Sequence, residues 1–275
     1  MNGRDTVICY LYHYMKKLFT LCLLLASRFC FSQDNTANPN QELHPDYKAI
    51  TNDFMFWYQY TIDNIHLNRE YVALDTDSSK LEKPAFINKL IEGKTIPLQT
   101  RFVNGKPVYR LYSIDPPSEG MSGAMKSLAF MAMMNAKHEG TMMPDYNFTD
   151  INGNNYTNAS SKGKITVLKC WFIHCQPCVR EMPVLNKLVD KYRGNKKIQF
   201  VSLALDNKQD LQNFLKQTEF KYAIIPEMQD YIDKHLQIMG YPTHFLIDEN
   251  GKIIKVGNQV DDIVPYLEEA AAKLK

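Results

Sequence analysis

The stretch TVLKCWFIHCQPCVREMP, residues 166–183, places two cysteines between an apolar run and a helix-forming run. The apolar run is typical of a buried β-strand, and the residues after the second cysteine are typical of a helix. Two thiols at this spacing could hold a metal ion, close a structural bridge or act as a redox couple. The rest of the sequence has to decide between these uses.

The bulk composition is that of a globular protein without affinity for polyanions. The chain has 275 residues, of which 45% are hydrophobic and 12% aromatic, enough for a sizeable core and comfortable for two domains. Its formal net charge is only +2, and no run of like charges suggests a charged tail. Nucleic acid is therefore not an expected partner.

Residues 1–32 contain a pattern typical of a secretory signal peptide. Two lysines after Met15 precede the apolar run LFTLCLLLAS, and small Ser32 stands just before a polar stretch. We expect Met15 to be the true start and cleavage to fall near Ser32 and Gln33. The apolar run is too short to span a bilayer, although a retained anchor is the alternative. The predicted location is exported: periplasmic, or membrane-associated and extracytoplasmic.

Removal of that signal leaves an odd number of cysteines. Three of the six leave with it: Cys9, Cys22 and Cys30. Three remain, Cys170, Cys175 and Cys178, and an odd count cannot form a full disulfide framework. A bridge between Cys175 and Cys178 would close so short a loop that it would remove little entropy from the unfolded chain. The pair is therefore better suited to chemistry than to scaffolding.

Residues 33–120 are predicted to hold a small, partly β domain, and no catalytic pattern is visible in it. The aromatic block at residues 54–58 is typical of a buried helix or strand. Two β-type runs, residues 96–103 and 107–114, flank Asn104 and Gly105 and predict a hairpin with a tight turn. A cluster of breaker residues at 115–120 marks the end of this domain.

A methionine-rich connecting helix is predicted at residues 121–140. Seven methionines lie between Met121 and Met143, and His138 is near them in the sequence. Soft thioether ligands of this kind could bind Cu(I). Methionine is also a good helix former that fills gaps in a core, so we expect this helix to pack against one of the two domains.

Strand and helix patterns alternate regularly over residues 141–275. Buried strands are indicated at residues 164–172, 198–205 and 243–248, with helical patterns between them. A turn at residues 249–251 predicts an antiparallel hairpin, and an apolar stripe from residue 261 onward predicts a closing helix. We therefore predict an α/β fold of three layers, whose mixed central sheet is covered by helices on both faces.

The two thiols of the central stretch are predicted to lie where the first buried strand passes into a helix. The unpaired N–H groups and the positive end of the helix dipole at such a place favour a thiolate. Pro177 fits the first helical turn, where its missing N–H is tolerated. Gln176 and Pro177 lie between the cysteines and are expected to set the reduction potential.

Three segments together resemble the thioredoxin superfamily, specifically the exported TlpA/ResA-like thiol-disulfide oxidoreductases. They are MPDYNFTDINGNNYT (residues 143–157), GKITVLKCWFIHCQPCVREMP (residues 163–183) and GYPTHFLIDENGKII (residues 240–254). The resemblance extends over roughly residues 141–275 and implies a thioredoxin-like fold for them. A lone pair of cysteines would be weak support, but their combination with Glu181, Pro183 and the later Gly-Tyr-Pro-Thr is specific.

The resemblance implies roles for individual residues. Cys175 matches an exposed nucleophile that forms a mixed disulfide, and Cys178 matches a buried thiol that resolves it. Pro242 matches a cis-proline beside the pair, and the backbone of Tyr241 would pair with an extended substrate peptide. Glu181 matches an acidic residue that handles the protons of the thiols; the alternative for this position is an exposed helix charge.

Other positions depart from the family pattern. Lys169 stands where thioredoxin has a buried acid; it either extends out of the strand to solvent or lies under the active site, where it could accept a proton or stabilise a thiolate. His174 replaces a bulky residue and would stabilise a thiolate if it were charged, or else be a spectator. Trp171 is a further candidate for substrate contact, and Cys170 is expected to be a small core residue.

The leading functional prediction is an exported enzyme that exchanges disulfides with disulfide-bearing protein substrates and acts as a reductant. It would be recharged by a membrane-side electron donor, such as a thiol-reducing membrane protein, and would need no cofactor beyond the Cys175 and Cys178 pair. A copper-binding metallochaperone that uses the pair, and a partner-binding protein with an accessory redox domain, are the alternatives. A peroxidase is disfavoured by Phe172 before the pair, and zinc by the lack of four ligands.

Overall fold

The computed structural model describes residues 46–114 and 118–274. The predicted signal peptide at residues 1–32 and its cleavage site lie outside these residues. In the described part of the chain, no helix is both long enough and apolar enough to cross a membrane.

The first part of the chain forms a four-stranded sheet with helices against it. Its elements are α1 (Tyr47–Thr51), α2 (Phe54–Asn64), β1 (Val72–Leu74), β2 (Lys80–Leu81), α3 (Lys83–Glu92), β3 (Thr95–Val103), β4 (Lys106–Ser113) and α4 (Glu119–His138). The strand order is β2-β1-β4-β3. The predicted hairpin is confirmed: β3 and β4 are antiparallel, and Asn104 and Gly105 between them both have positive φ, as a tight hairpin turn requires.

The prediction of a buried aromatic block at residues 54–58 is wrong for most of its members. The block lies in α2, where only Trp57 is buried, whereas Met55 and Phe56 are 65% and 58% exposed. A helix turns 3.6 residues per turn, so a run of consecutive side chains points all round its axis and only one face can be covered. The aromatic composition of the block indicated burial, but the helical period leaves most of its side chains exposed.

Helix α4 contributes its apolar stripe to the core of this first part. Met121, Met125, Ala129 and Ala132 recur at helical spacing and are buried together with Trp57 and other residues of α2, α3 and β3. The expected packing role of the methionine-rich helix is therefore confirmed for Met121 and Met125. We call residues 46–114 together with α4 the N-terminal module.

The second part of the chain alternates strands and helices. Its elements are β5 (Asn147–Thr149), β6 (Asn155–Thr157), α5 (Asn158–Ser161), β7 (Ile165–Trp171), α6 (Gln176–Arg180), α7 (Met182–Tyr192), β8 (Ile198–Ala204), α8 (Lys208–Leu215), β9 (Ala223–Ile225), α9 (Gln229–Tyr231), a π-helical turn (Ile232–Leu236), β10 (Thr243–Ile247), β11 (Ile253–Gly257), a 3-10 turn (Val260–Asp262) and α10 (Val264–Lys273). Its five-stranded sheet has the order β11-β10-β7-β8-β9.

The sheet is mixed and covered on both faces, which confirms the predicted thioredoxin-like α/β architecture. Strands β7, β8 and β9 are parallel, whereas β10 is antiparallel to β7 and β11 is antiparallel to β10. Central strand β7 is buried along its whole length. Its side chains alternate between the two layers: Val167 and Trp171 pack with α7 and α10, and Leu168 and Cys170 pack on the other side.

This alternation fixes the direction of Lys169. The residue lies between Leu168 and Cys170, so the period of two turns its side chain to the face of Val167 and Trp171. That face is the one that carries Cys175 and Cys178. The strand geometry therefore sends a lysine toward the layer of the two thiols.

Candidate active site

Cys175 and Cys178 form a disulfide at the N-terminus of α6. Cys175 is the N-cap residue of this helix, and its sulfur accepts a hydrogen bond from the Cys178 N–H at 3.3 Å. The loop that leads from β7 into the helix is tied down before it reaches the pair, because the Ile173 N–H donates to Asp206 Oδ2 at 2.8 Å. The predicted strand-to-helix position of the pair is thus the observed one.

The two sulfurs differ in their access to solvent. Cys178 is 0% exposed and Cys175 is 5% exposed. As the family resemblance implies, Cys175 is the more exposed of the two, but it is largely covered rather than openly exposed. Helix α6 holds Cys178 in the core. The half-buried rings of Phe172 and Tyr241 pack edge to face at 5.4 Å and belong to the same cluster as both cysteines. A substrate can approach only Cys175 from solvent.

The residues around the pair are divided between surface and core. His174, Gln176 and Pro177 are exposed beside the disulfide, with Pro177 in the first turn of α6. Trp171 is 0% exposed and packs against Phe220 in the core. The prediction that Trp171 contacts substrate is therefore wrong, because its position in the central strand turns the indole toward the helices of the buried layer.

The loop before β10 carries the proline that the resemblance singled out. The peptide bond between Tyr241 and Pro242 is cis. Thr243 Oγ1 donates to the Gly240 carbonyl at 2.7 Å and closes the loop around this bond. Burial raises the pKa of Tyr241 to about 12, so its phenol is neutral over the physiological range.

Lys169, Glu181 and His244 form a buried hydrogen-bonded network beneath this loop. The Nζ of Lys169 lies 2.6 Å from Glu181 Oε2, and the Nε2 of His244 lies 3.0 Å from the same oxygen. Lys169 is 0% exposed and His244 1% exposed, whereas the Glu181 side chain keeps 16%. Of the two interpretations of Lys169, the one that leaves it in solvent is wrong, and Glu181 is not simply an exposed helix charge.

The fold places Glu181 where it can join the two halves of the site. It follows the last residue of α6 and precedes α7, three positions after Cys178, so the carboxylate and the buried sulfur share one side of the helical segment. Its second oxygen, Oε1, accepts the Val260 N–H at 3.1 Å. The carboxylate therefore links the thiol helix to the segment that follows β11.

The charges of this network are set by burial and mutual contact. Burial alone would raise the pKa of Glu181, but its contacts with His244 and Lys169 outweigh this effect and hold this pKa below its ordinary value. Burial lowers the pKa of Lys169, although Glu181 opposes the shift. Burial, helped by the Lys169 charge, also lowers the pKa of His244. An anionic Glu181 between the Lys169 cation and a neutral His244 imidazole agrees with the direction of all three pKa shifts.

His244 is a site residue that the sequence analysis missed. Its Nδ1 is buried and has no hydrogen-bond partner among the described residues, which agrees with a ring that donates through Nε2 and stays neutral. The available signal was a polar residue inside the otherwise apolar run THFLI of β10. Lys169 carries the same signal, because it is a lysine inside the otherwise apolar strand β7.

Cys170 takes no part in the site. Its side chain is 0% exposed and packs in the layer on the opposite face of the sheet from Cys175. Burial raises its pKa, which keeps the thiol protonated and unreactive. The expectation that it is a small core residue is confirmed. Among residues 46–114 and 118–274, no group of three or more His, Cys, Asp and Glu side chains is arranged to hold a metal ion.

Comparison with known proteins identifies the same part of the chain. The AhpC/TSA family matches residues 140–256. A thiol-disulfide oxidoreductase ResA from Bacillus thuringiensis subsp. konkukian is 33% identical over 117 residues, which cover 42% of this chain and 67% of the relative. A second ResA, from Bacillus anthracis, is 30% identical over 154 residues, which cover 52% of this chain and 85% of the relative.

A solved structure also matches part of the chain. The crystal structure described as a putative thiol:disulfide interchange protein DsbE from Chlorobium tepidum has a TM-score of 0.44 and 26% identity, and the match covers 50% of this chain and 98% of that one. The sequence relationship to the two ResA proteins covers 67% and 85% of their length, at 33% and 30% identity. The chain therefore belongs to the ResA family of thiol-disulfide oxidoreductases.

Proposed function

We propose that this protein is an exported reductant that exchanges disulfides with polypeptide substrates through Cys175 and Cys178. The observation that carries the proposal is the position of the pair: one sulfur at the surface end of α6, the other buried behind it, next to a loop with a cis-proline. A helix N-terminus stabilises the thiolate that must attack, and the loop offers main-chain groups to an extended peptide.

The reaction begins from the reduced pair. The Cys175 thiolate attacks one sulfur of a substrate disulfide, which breaks that S–S bond and forms a mixed disulfide between protein and substrate. Cys178 then loses its proton and attacks the Cys175 sulfur. The substrate leaves as a dithiol after taking up two protons, and the protein retains the disulfide seen in the structure. Two electrons pass from protein to substrate, and no cofactor is required.

Glu181 is proposed to accept the proton of Cys178 in the second step. It lies one helical turn after that residue and is held in place by Lys169, His244 and the Val260 N–H. Because its pKa is low, the carboxylate does not keep the proton. The 16% of its side chain that remains exposed provides a path for release to water.

The surroundings of the disulfide are proposed to select the substrate. His174, Gln176 and Pro177 are exposed next to the pair and are placed to contact residues that flank a substrate cysteine. The backbone at Tyr241 and Pro242 would pair with the substrate chain. Trp171 does not belong to these surroundings, because it is buried in the core.

Export and recharging are the remaining parts of the proposal. The sequence pattern at residues 1–32 supports export, and an exported reductant needs a source of electrons outside the cytoplasm. We assign that task to a thiol-reducing membrane protein, which would convert the Cys175 and Cys178 disulfide back to the dithiol by the same exchange chemistry.

A redox equilibration tests the proposed function. The full chain is incubated across a series of dithiothreitol ratios, alkylated, and each cysteine is assigned by peptide mass. We expect one two-electron transition confined to Cys175 and Cys178, at a potential near or below the roughly −270 mV of thioredoxin. A transition near the roughly −120 mV of DsbA would instead indicate an oxidant. Absence of a reversible disulfide would refute dithiol exchange.

A further inference from the structure

The segment at residues 257–262, which follows β11, lies between the N-terminal module and the active site. It has hydrogen bonds to both, and we call it the brace. It contains Gly257, Asn258, Val260 and Asp262.

The first contact is a charged one from the N-terminal module. Asp262 is only 3% exposed, and its Oδ1 accepts from Arg69 Nε at 2.8 Å. Its other oxygen, Oδ2, accepts the N–H groups of Asn258 and Gln259 at 3.1 and 3.2 Å. The carboxylate therefore shapes the turn of the brace, while Arg69 neutralises it from the side of the module.

The second contact passes through the side chain of Asn258. Its Oδ1 accepts from Asn135 Nδ2 at 2.7 Å and from Asn68 Nδ2 at 3.3 Å, and both donors belong to the N-terminal module. Its Nδ2 donates to the Pro242 carbonyl at 3.0 Å and to Thr243 Oγ1 at 3.1 Å. One amide group thus joins the module to the cis-proline loop, and the use of both ends fixes its orientation.

The third contact reaches the proton-handling network. The Val260 N–H donates to Glu181 Oε1, so a shift of the brace would move this hydrogen bond together with that of Asn258.

The module also packs directly on the loop before Pro242, since a Cβ placed on Gly240 would lie only 3.2 Å from Cε of Met131 in α4. Within the brace, Asp262 lies directly against the backbone of Gly257, because a Cβ added to Gly257 would lie 2.3 Å from Cβ of Asp262.

We propose that the N-terminal module positions the active site through the brace, with Arg69 and Asn258 as positioning residues. Neither residue contacts a sulfur in the described structure, but both are bonded to the brace segment that holds the Pro242 carbonyl and the Glu181 carboxylate. The inference rests on the proposed function for its consequence: the module prepares the cis-proline loop to receive a polypeptide substrate.

This positioning role predicts that loss of the brace contacts affects the exchange rate of a polypeptide disulfide and of a small disulfide differently. A polypeptide disulfide needs the loop at Tyr241 and Pro242 in a defined position, because it binds through main-chain groups. Hydroxyethyl disulfide has no peptide groups and needs only access to Cys175. Loss of the brace contacts therefore slows exchange with a polypeptide more than exchange with the small disulfide, whereas a general loss of folded protein slows both equally.

The test uses the full chain with Arg69→Ala and Asn258→Ala, and Lys106→Ala as the matched control. Lys106 belongs to the same module, and its ion pair with Glu70 at 3.3 Å is on the surface, with both side chains more than half exposed. Reduced protein is mixed with insulin or with hydroxyethyl disulfide, and the conversion of Cys175 and Cys178 to the disulfide is followed by alkylation and peptide mass. Hydrogen exchange at the Val260 amide and the melting temperature are recorded in parallel.

We expect each brace variant to slow the reaction with insulin by about tenfold, the effect of one charge-assisted or buried hydrogen bond, and that with hydroxyethyl disulfide by less than about twofold. The Val260 amide should exchange faster in both variants and not in Lys106→Ala. Equal slowing with both disulfides, or no slowing with either, would overturn the proposal. If Arg69→Ala does not fold, Arg69→Lys retains the charge and is judged by the same rate ratio.

The outcomes separate this inference from the proposed function. Wild-type protein that reacts with neither disulfide contradicts the proposed function, and the brace is then decided by hydrogen exchange alone. Unchanged exchange at the Val260 amide in folded Arg69→Ala and Asn258→Ala protein would show that the module does not hold the site, whatever the activity of the wild type.

Discussion

Lys169 and His244 face each other across the ladder of β7 and β10, and both contact the same oxygen of Glu181, at 2.6 and 3.0 Å. Residues directly opposite in an antiparallel pair project to the same face, so the register alone brings the ammonium and the imidazole together. The carboxylate then supplies the counter-charge that a buried lysine requires. Removal of one member would leave the others buried without their partner, and an unpaired buried charge strongly destabilises the folded protein.

The first prediction concerns the charge of Lys169. In Lys169→Met the positive charge on the thiol side of the sheet is lost, and the thiolate of Cys175 loses a stabilising interaction that little solvent screens. We expect the pKa of Cys175 in the reduced protein to rise by more than roughly half a unit, the most that an exposed charge would produce. The measurement is the pH dependence of alkylation of Cys175 by iodoacetamide.

Lys187→Met is the control for this prediction, since Lys187 is an exposed residue of α7 in the same layer. Its removal changes the net charge of the protein by the same amount but should leave the alkylation profile in place. Identical profiles for wild type and Lys169→Met would mean that the buried ammonium does not act on the thiols.

The second prediction concerns the pH dependence of stability. Because burial lowers the pKa of His244, the folded protein keeps this ring neutral where the unfolded chain, with a pKa of about 6.5, takes up a proton. Below that pH the unfolded state binds more protons, so the free energy of unfolding falls as the pH falls, by up to about 1.4 kcal/mol per pH unit. Glu181, whose folded pKa is also lowered, adds a loss only at more acidic pH, below its unfolded pKa of about 4.3.

His244→Gln isolates the contribution of the imidazole. The free energy of unfolding, measured with urea, should differ less between pH 7.5 and pH 5.5 in the variant than in the wild type, because glutamine keeps a donor for Glu181 but does not titrate. Lys169, Glu181 and Asp262 are the charged groups that act on this ring, and all three are retained in the variant. His174→Gln, at an exposed position, should leave the wild-type difference unchanged. If the free energy of unfolding changed equally between the two pH values in wild type and His244→Gln, a buried neutral imidazole would be excluded.

The third prediction concerns the division of labour between the two cysteines. Cys178→Ser leaves Cys175 able to attack but removes the thiol that resolves the intermediate, so a mixed disulfide with a polypeptide substrate should accumulate. Cys175→Ser should show no exchange, because the remaining sulfur is 0% exposed. Mass spectrometry under non-reducing conditions identifies the trapped species.

Cys170→Ala is the matched control for the cysteine variants. Its side chain lies on the other face of the sheet, so exchange should be retained, with at most a modest loss of stability from the missing sulfur. Turnover by Cys175→Ser would remove this residue from the mechanism, and a role for Cys170 would be indicated if Cys170→Ala alone were inactive.

The fold and the position of the disulfide could be predicted because their signals are local. The apolar run of β7, the cysteines at the start of α6 and the hairpin at Asn104 and Gly105 are each written in a few consecutive residues. The aromatic block of α2 shows the limit of such signals, since composition indicated burial and only the helical period could tell that Trp57 alone faces the core.

The buried network could not be predicted because its partners are far apart in the chain. Whether Lys169 extends to solvent or stays under the site depends on Glu181 and on His244, which is 63 positions beyond Glu181. The bond between Arg69 and Asp262 joins residues that are 193 positions apart. A polar residue in an apolar strand indicates that some partner exists, but only the register of the sheet identifies it.

The last prediction concerns the packing of Gly257, the first residue of the brace. This glycine is buried at the end of β11, and an added Cβ would lie 2.3 Å from Cβ of Asp262, a residue that its hydrogen bonds to Arg69 and to the brace amides prevent from moving. We expect Gly257→Ala to lower the free energy of unfolding by about 1–3 kcal/mol, as overpacking of a rigid site does. Gly123→Ala should have the opposite sign, because Gly123 is exposed inside α4 with open space around it, and alanine is favoured over glycine in a helix by up to about 1 kcal/mol. Urea denaturation of both variants decides the matter: an unchanged midpoint for Gly257→Ala would mean that Asp262 can yield, and that the brace is looser than its contacts indicate.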